Sequence, residues 1–125
     1  MILGVGVDAV EIARIRGLYE RAGARFVRRL FTGDEAEYCE ARHRPAESFA
    51  ARFAAKEAAM KCLGTGWAEG SAFREVEVRR GPGGAPELLL HGATAARAAS
   101  LGIRRWHLSL THTDRTATAF VVAES

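Results

Sequence analysis

Phe49-Ala-Ala-Arg-Phe-Ala-Ala-Lys-Glu-Ala-Ala-Met-Lys-Cys-Leu63, followed by Gly64-Thr65-Gly66, decides how this chain folds. Ala, Met, Leu, Lys, Glu and Arg are good helix formers and Gly64 supplies a stop, so the stretch predicts a helix of about four turns. At 3.6 residues per turn, Phe49, Phe53, Met60 and Leu63 gather on one stripe, the expected core face. The opposite side is not polar, being Ala50, Ala51, Ala54, Ala55, Ala58 and Ala59. A helix apolar all round is largely enclosed, and charges on an enclosed helix need partners. Those charges are Arg52, Lys56, Glu57 and Lys61. Glu57 and Lys61, spaced i,i+4, project from one side. A carboxylate and two or three cations on such a helix suit a metal ion and phosphates. An ordinary i,i+4 salt bridge on a helix edge is the alternative.

Working outward, Met1-Ile-Leu-Gly-Val-Gly-Val-Asp-Ala-Val-Glu-Ile12 alternates with the period of a strand. Leu3, Val5 and Val7 form an apolar face that should pack on the core. The other face is Gly4 and Gly6, ending in Asp8. Glycine inside a strand weakens it, which points to a ligand or another backbone in close approach. Asp8 is then either a metal ligand beside a bound molecule or a turn residue in crowded packing. At the other end of the chain, Trp106 to Val122 reads as a β-hairpin turning at Thr113-Asp114-Arg115. Ser109, Thr111 and Thr113 share one face, and Leu108, Leu110 and His112 the other. His112 is open to either a structural or a catalytic part.

Between these segments, Glu11 to Leu30 predicts one or two helices broken near Gly23. Thr32-Gly-Asp-Glu35 has the form of a capping box, starting a short helix that runs to about Arg42. Pro45 ends the connection and leads into the alanine-rich helix. Phe73 to Arg79 reads as a strand, Gly81 to Pro86 as a turn and Glu87 to Leu90 as a second strand. A short alanine helix follows His91-Gly92 and stops at Gly102. Strands grouped apart from helices argue for an α+β fold: a small, mainly antiparallel sheet packed with the long helix and shorter helices. The 125 residues, 48% hydrophobic and 26% charged, suit one globular domain over 1–125. No apolar run is long enough to span a membrane, and the N-terminus lacks a secretory pattern, so a cytoplasmic location is expected. Cys39 and Cys62 have no metal-type spacing and read as free thiols.

Net charge is only +3, but Arg14, Arg16, Arg21, Arg25, Arg28 and Arg29 fall within sixteen residues whose one acid is Glu20. Such a patch attracts anions: nucleic acid, headgroups or an acidic protein. Only Tyr19 and Phe26 lie among the arginines, too few aromatics for base stacking. A solvated helix face is the plain alternative.

Gly4-Val-Gly-Val-Asp8, then Arg52-Phe-Ala-Ala-Lys-Glu-Ala-Ala-Met-Lys61 with Gly64-Thr-Gly66, then Ser109-Leu-Thr-His-Thr113, together resemble one family over almost the whole chain. It is the 4′-phosphopantetheinyl transferases, of the holo-acyl-carrier-protein synthase type. The resemblance implies an Mg²⁺-dependent transfer of the 4′-phosphopantetheine arm from coenzyme A to a serine of an acyl carrier protein of fatty-acid, polyketide or peptide synthesis. It further implies a homotrimer with sites between protomers, and a partner that is neither nucleic acid nor membrane. Asp8 and Glu57 match the metal ligands, with Glu57 the candidate base. Lys61 matches the pyrophosphate contact, and Arg52 and Lys56 become candidates for the nucleotide phosphates. Gly64, Thr65 and Gly66 would offer backbone amides to the ligand, with His112 and Thr113 near the nucleotide. Arg14 matches the family's arginine after its first motif as a contact to the acidic carrier; Arg21, Arg25 and Arg28 join it by patch character. Departures are Thr111 for a usual serine, Cys62 for a more typical alanine, and Trp67, placed to cover part of the pocket. An anion-binding module without catalysis would leave Asp8 and Glu57 without purpose. A hydrolase of coenzyme-A-like pyrophosphates is the enzymatic rival.

Overall fold

A computed structural model describes residues 1–65 and 73–125 of the chain. In chain order the elements are β1 (Ile2–Glu11), α1 (Ile12–Leu30), α2 (Gly33–Glu40), α3 (Pro45–Leu63), a 3-10 turn at Phe73–Glu75 and β2 (Val76–Arg80). After them come a 3-10 turn at Pro82–Gly84, β3 (Pro86–Leu90), α4 (Gly92–Ser100), β4 (Arg105–His112) and β5 (Thr116–Glu124). The strands form a three-stranded antiparallel sheet in the order β1-β5-β4 and a separate antiparallel pair, β2-β3. The α+β expectation holds.

The alanine-rich helix is α3, and it begins earlier than its pattern suggests. Pro45 ends the connection as read and is already the first residue of the helix, where a missing N–H costs nothing. Gly64 ends it with φ of 69°, a left-handed conformation open to glycine. Phe49, Phe53, Met60 and Leu63 are buried, and so are all six alanines opposite them. One side of α3 lies on a cluster of aromatic rings, in which Phe31 and Phe49 approach to 4.8 Å between centroids. The other side lies on β1 and β5. The capping box forms as read, with Thr32 Oγ1 accepting from the Glu35 N–H and Glu35 Oε1 from the Thr32 N–H. α1 bends at Gly23, where φ is 44°. The stretch expected as a strand from Phe73 opens instead with the 3-10 turn, and β2 starts only at Val76.

The faces of β1 are the reverse of the expectation. Gly6 points inward and Gly4 is part-buried, while Leu3, Val5 and Val7 lie on the outside with relative exposures of 41%, 53% and 53%. Backbone approach is the reason. A Cβ on Gly6 would collide with the Ala58 carbonyl oxygen and lie 2.8 Å from its carbon. Ala117, Ala119 and Ala123 of β5 present the same small-residue surface, and all are fully buried. Alanine on glycine and alanine lets helix and sheet close tightly, so this face, and not the bulkier one, is the core. No described helix is long and apolar enough to cross a membrane.

Candidate active site

Because Gly6 lets α3 lie against β1, Lys61 reaches across to that strand. Its Nζ donates to the Val7 carbonyl at 2.8 Å and to Asp8 Oδ1 at 3.1 Å. An ammonium has three donors, so among the described residues one remains for another acceptor. The Lys61 side chain is half-exposed, whereas that of Asp8 is largely covered. Glu57 sits one turn before Lys61 on α3 and is part-buried. The acceptors around the Lys61 ammonium are all oxygens, and among the described residues no cluster of three or more His, Cys, Asp and Glu side chains is present. Closed zinc sites take four ligands, chiefly Cys and His, whereas Asp8 and Glu57 offer carboxylate oxygens. They suit a hard cation that keeps waters and takes substrate phosphates, such as Mg²⁺.

Lys56 is a correction. It is fully buried, and its Nζ donates to Glu35 Oε1 at 2.8 Å, the Phe73 carbonyl at 2.8 Å and the Val76 carbonyl at 2.6 Å. All three donors are spent inside the protein, so none is left for the nucleotide phosphates it was expected to hold. Burial pushes its ammonium below the ordinary lysine value, and the Glu35 carboxylate works against that shift. Glu35 uses its other oxygen, Oε2, to accept the Val78 N–H at 2.8 Å. One ion pair therefore ties α2, α3 and β2 together.

The glycine-rich turn after α3 is a second correction. The Gly64 N–H donates to the Lys61 carbonyl at 3.3 Å and the Thr65 N–H to the Met60 carbonyl at 3.1 Å. Those amides close a helix C-terminus, whose partial charge is negative, and do not point at an anion. Arg97 Nε adds a donor to the Leu63 carbonyl at 2.9 Å. Gly66 and Trp67 lie outside the described residues. Thr113 is occupied too: its Oγ1 accepts from the Arg115 and Thr116 N–H groups and so turns the β4–β5 hairpin.

Arg52 and His112 do come together, in a cleft of about 520 Å³ that Arg42, His43, Arg44 and Arg80 also line. The Thr113 carbonyl can only accept, so His112 Nδ1 carries the proton in their 3.1 Å contact, and Nε2 is then the acceptor nitrogen of the ring. Arg52 is only 4% exposed, yet among the described residues its hydrogen bond is from Nη1 to Ser48 Oγ at 3.4 Å, and Nε has no partner there. A buried guanidinium without a carboxylate is costly unless an anion binds there. Sequence reasoning missed Arg42, His43, Arg44 and Arg80. The run Arg42-His43-Arg44 before Pro45 was the available signal; Arg80 arrives from β2 with no local one. Neither Asp8, Glu57 nor Lys61 lines this cleft. On α1, Arg14, Arg21, Arg25 and Arg28 are all exposed, and Arg14 Cζ rests 5.8 Å from the centroid of the Phe53 ring.

The 4′-phosphopantetheinyl transferase superfamily model matches residues 4–120. A holo-[acyl-carrier-protein] synthase of Koribacter versatilis is 49% identical over 99% of each chain. The crystal structure of the holo-[acyl-carrier-protein] synthase of Neisseria meningitidis covers all of both chains at 36% identity, with a TM-score of 0.91. That of the Helicobacter pylori synthase in complex with coenzyme A covers 96% of this chain and 99% of its own, with 28% identity and a TM-score of 0.84. With a match from the first strand to the last and the Asp8, Glu57 and Lys61 groups at the junction of α3 and β1, the chain belongs to the 4′-phosphopantetheinyl transferase superfamily, as a transferase of the holo-acyl-carrier-protein synthase type.

Proposed function

We propose that the protein transfers the 4′-phosphopantetheine arm of coenzyme A to a serine hydroxyl of an acidic apo acyl carrier protein and releases adenosine 3′,5′-bisphosphate. The observation that carries this reading is the Asp8–Lys61 pair, a carboxylate and an ammonium with one donor uncommitted among the described residues, reached from the same helix that carries Glu57 one turn earlier. Asp8 and Glu57 would hold Mg²⁺, which supplies Lewis-acid neutralisation of the pyrophosphate when bound. Lys61 would turn from carboxylate to phosphate and meet the charge that develops on the departing adenosine 3′,5′-bisphosphate. Glu57 accepts the serine proton, directly or through a water, as the hydroxyl attacks the β-phosphorus. The orphaned Arg52 guanidinium, with His112, takes the nucleotide phosphates, the 3′-phosphate included.

One chain holds the carboxylate end and the arginine cleft apart. Leu3, Val5 and Val7 of β1 and Phe120 of β5 leave an apolar sheet face in solvent. Three copies packed through that face would cover it and set one protomer's cleft against the next protomer's Asp8 and Glu57. The exposed arginines of α1 would take the acidic carrier, and Arg14→Glu should weaken carrier binding far more than coenzyme A binding. Calorimetry showing an unchanged carrier affinity would remove Arg14 as a main contact.

The deciding experiment is intact mass spectrometry of an apo acyl carrier protein incubated with the enzyme, coenzyme A and Mg²⁺. A gain of one phosphopantetheine arm is expected, and no gain refutes the proposal. Asp8→Asn and Glu57→Gln should each slow the gain by about 10²–10³-fold, as for other lost electrostatic contacts at a reacting centre, with circular dichroism unchanged. Free phosphopantetheine without carrier would identify a hydrolase instead.

A further inference from the structure

The arginine cleft is built around an aromatic ring that the proposed chemistry does not use. Tyr38, on α2, lies with the guanidinium carbons of Arg52, Arg42 and Arg80 at 4.2, 5.3 and 5.4 Å from its ring centroid. Arg80 Nε also donates to its hydroxyl at 3.0 Å. The three arginines come from different parts of the chain: Arg42 from beyond α2, Arg52 from α3 and Arg80 from the end of β2. Among the described residues none of the three forms an ion pair with a carboxylate. Three like charges at such range repel, and the negative face of the ring is the attraction all three share, while Arg80 Nη1 is held besides by the Gly84 carbonyl at 2.7 Å.

The ring also borders a second cavity. The carboxylate of the cleft, Glu47, is paired with Arg44, whereas this cavity of about 220 Å³ shares Tyr38, Arg52 and Arg80 with the cleft and is lined also by the carboxylates Asp34 and Glu77. Were Tyr38 absent, the guanidiniums would have room to turn toward those carboxylates and neutralise themselves. With it, they stay gathered on the ring without carboxylate partners among the described residues, and Arg52 stays buried with its Nε unpaired there. The ring itself is placed by the Thr32–Glu35 cap of α2, which the buried Lys56 holds from behind.

We propose that Tyr38 is a positioning residue for phosphate binding: its ring and hydroxyl converge Arg42, Arg52 and Arg80 on one phosphate monoester, the 3′-phosphate of coenzyme A. This rests on the transfer activity and phosphate placement proposed above. The test compares coenzyme A with 3′-dephospho-coenzyme A as donor, for the wild type, Tyr38→Leu and Tyr38→Phe, read by carrier mass. Tyr38→Leu should raise the KM for coenzyme A about tenfold, the scale of a lost desolvated cation–π contact, with kcat within about twofold. The KM for the dephospho donor should stay within about twofold of the wild-type value, because that donor lacks the group the arginines hold. Tyr38→Phe keeps the ring and loses only the contact to Arg80, so its KM for coenzyme A should rise by about threefold. An equal rise for both donors, or a fall in kcat on both, makes Tyr38 merely structural and overturns the inference. So does a wild type that uses the two donors equally well. If Tyr38→Leu does not fold, the Tyr38→Phe comparison decides alone. Absence of any arm transfer by the wild type would instead overturn the proposed function on which this rests.

Discussion

Lys56 and Lys61 stand five residues apart on one helix, carry the same charge and read alike in the sequence, yet α3 gives them opposite surroundings. Lys56 is sealed among Glu35 and two carbonyls, with every donor spent. Lys61 lies at the margin of β1, half in solvent, with two donors placed and a third in hand. The first cation fixes where α2 and β2 sit; the second is available to a ligand. Charge on an enclosed helix is therefore not by itself a sign of a binding site. What separates the two is whether the partners around the ammonium exhaust it.

The largest effect that bears on this contrast is in stability. Lys56→Met removes one partner of a buried pair and should cost about 3–5 kcal/mol in urea unfolding. Lys61→Met should cost less than about 1 kcal/mol, as exposed pairs do. Arm transfer should show the reverse, with the folded Lys61→Met enzyme slowed by about 10²-fold or more. A Lys56→Met protein as stable as the wild type that loses only affinity for coenzyme A would break the contrast and return Lys56 to the phosphates.

A smaller effect sharpens it at the two glycines. Gly6→Ala puts a methyl into the Ala58 carbonyl, so α3 must shift from β1 at a cost of about 1–3 kcal/mol. Lys61 then loses its hold on Asp8 while the Lys56 network, on the far side of α3, stays whole. At Gly4 the added carbon would lie 3.1 Å from the Cys62 carbonyl oxygen, which a few tenths of an ångström relieve. Gly4→Ala should therefore unfold later in urea than Gly6→Ala and keep more activity. Equal losses would mean that close approach at Gly6 does not position Lys61.

The smallest effect concerns a carboxylate held by neutral donors rather than by a lysine. Glu75 Oε1 accepts from the Thr94 hydroxyl at 2.8 Å and the Thr94 N–H at 3.1 Å, in the first turn of α4. The Thr94 side-chain bond is the main cause that lowers its pKa below the ordinary 4.5. A folded value below the unfolded one means that this contribution is full above about pH 4.5 and fades as pH falls through the folded value. Wild-type stability should thus drop more steeply on acidification than that of Glu75→Gln, as followed by thermal unfolding between pH 6 and about pH 3. Parallel acid limbs would remove Glu75 from the account.

Much of the architecture was legible because its causes are local. The Thr32–Glu35 box, the break at Gly23, the stop at Gly64 and the hairpin around Thr113 depend on residues within a turn of one another. The enclosure of α3 was legible too, since alanine on every side leaves no face for water. At the candidate site the motif order gave Asp8, Glu57 and Lys61, and the structure brings Lys61 onto Asp8. The six-residue basic cleft was only half visible, through Arg52 and His112.

Residue order alone settled most helix and strand segments, though not the turn at Phe73–Glu75, together with the burial of α3 and the family of the three motifs. Only the tertiary structure decided which face of β1 turns inward, because alternation separates two faces without saying what will pack on either. An alanine helix needs the glycine face to close on it, which leaves Leu3, Val5 and Val7 outside. Tertiary packing likewise decided that Lys56 is structural and Lys61 available, and that arginines from three separate segments meet at Tyr38. Each of those outcomes is set by groups distant along the chain, whose approach no local pattern records.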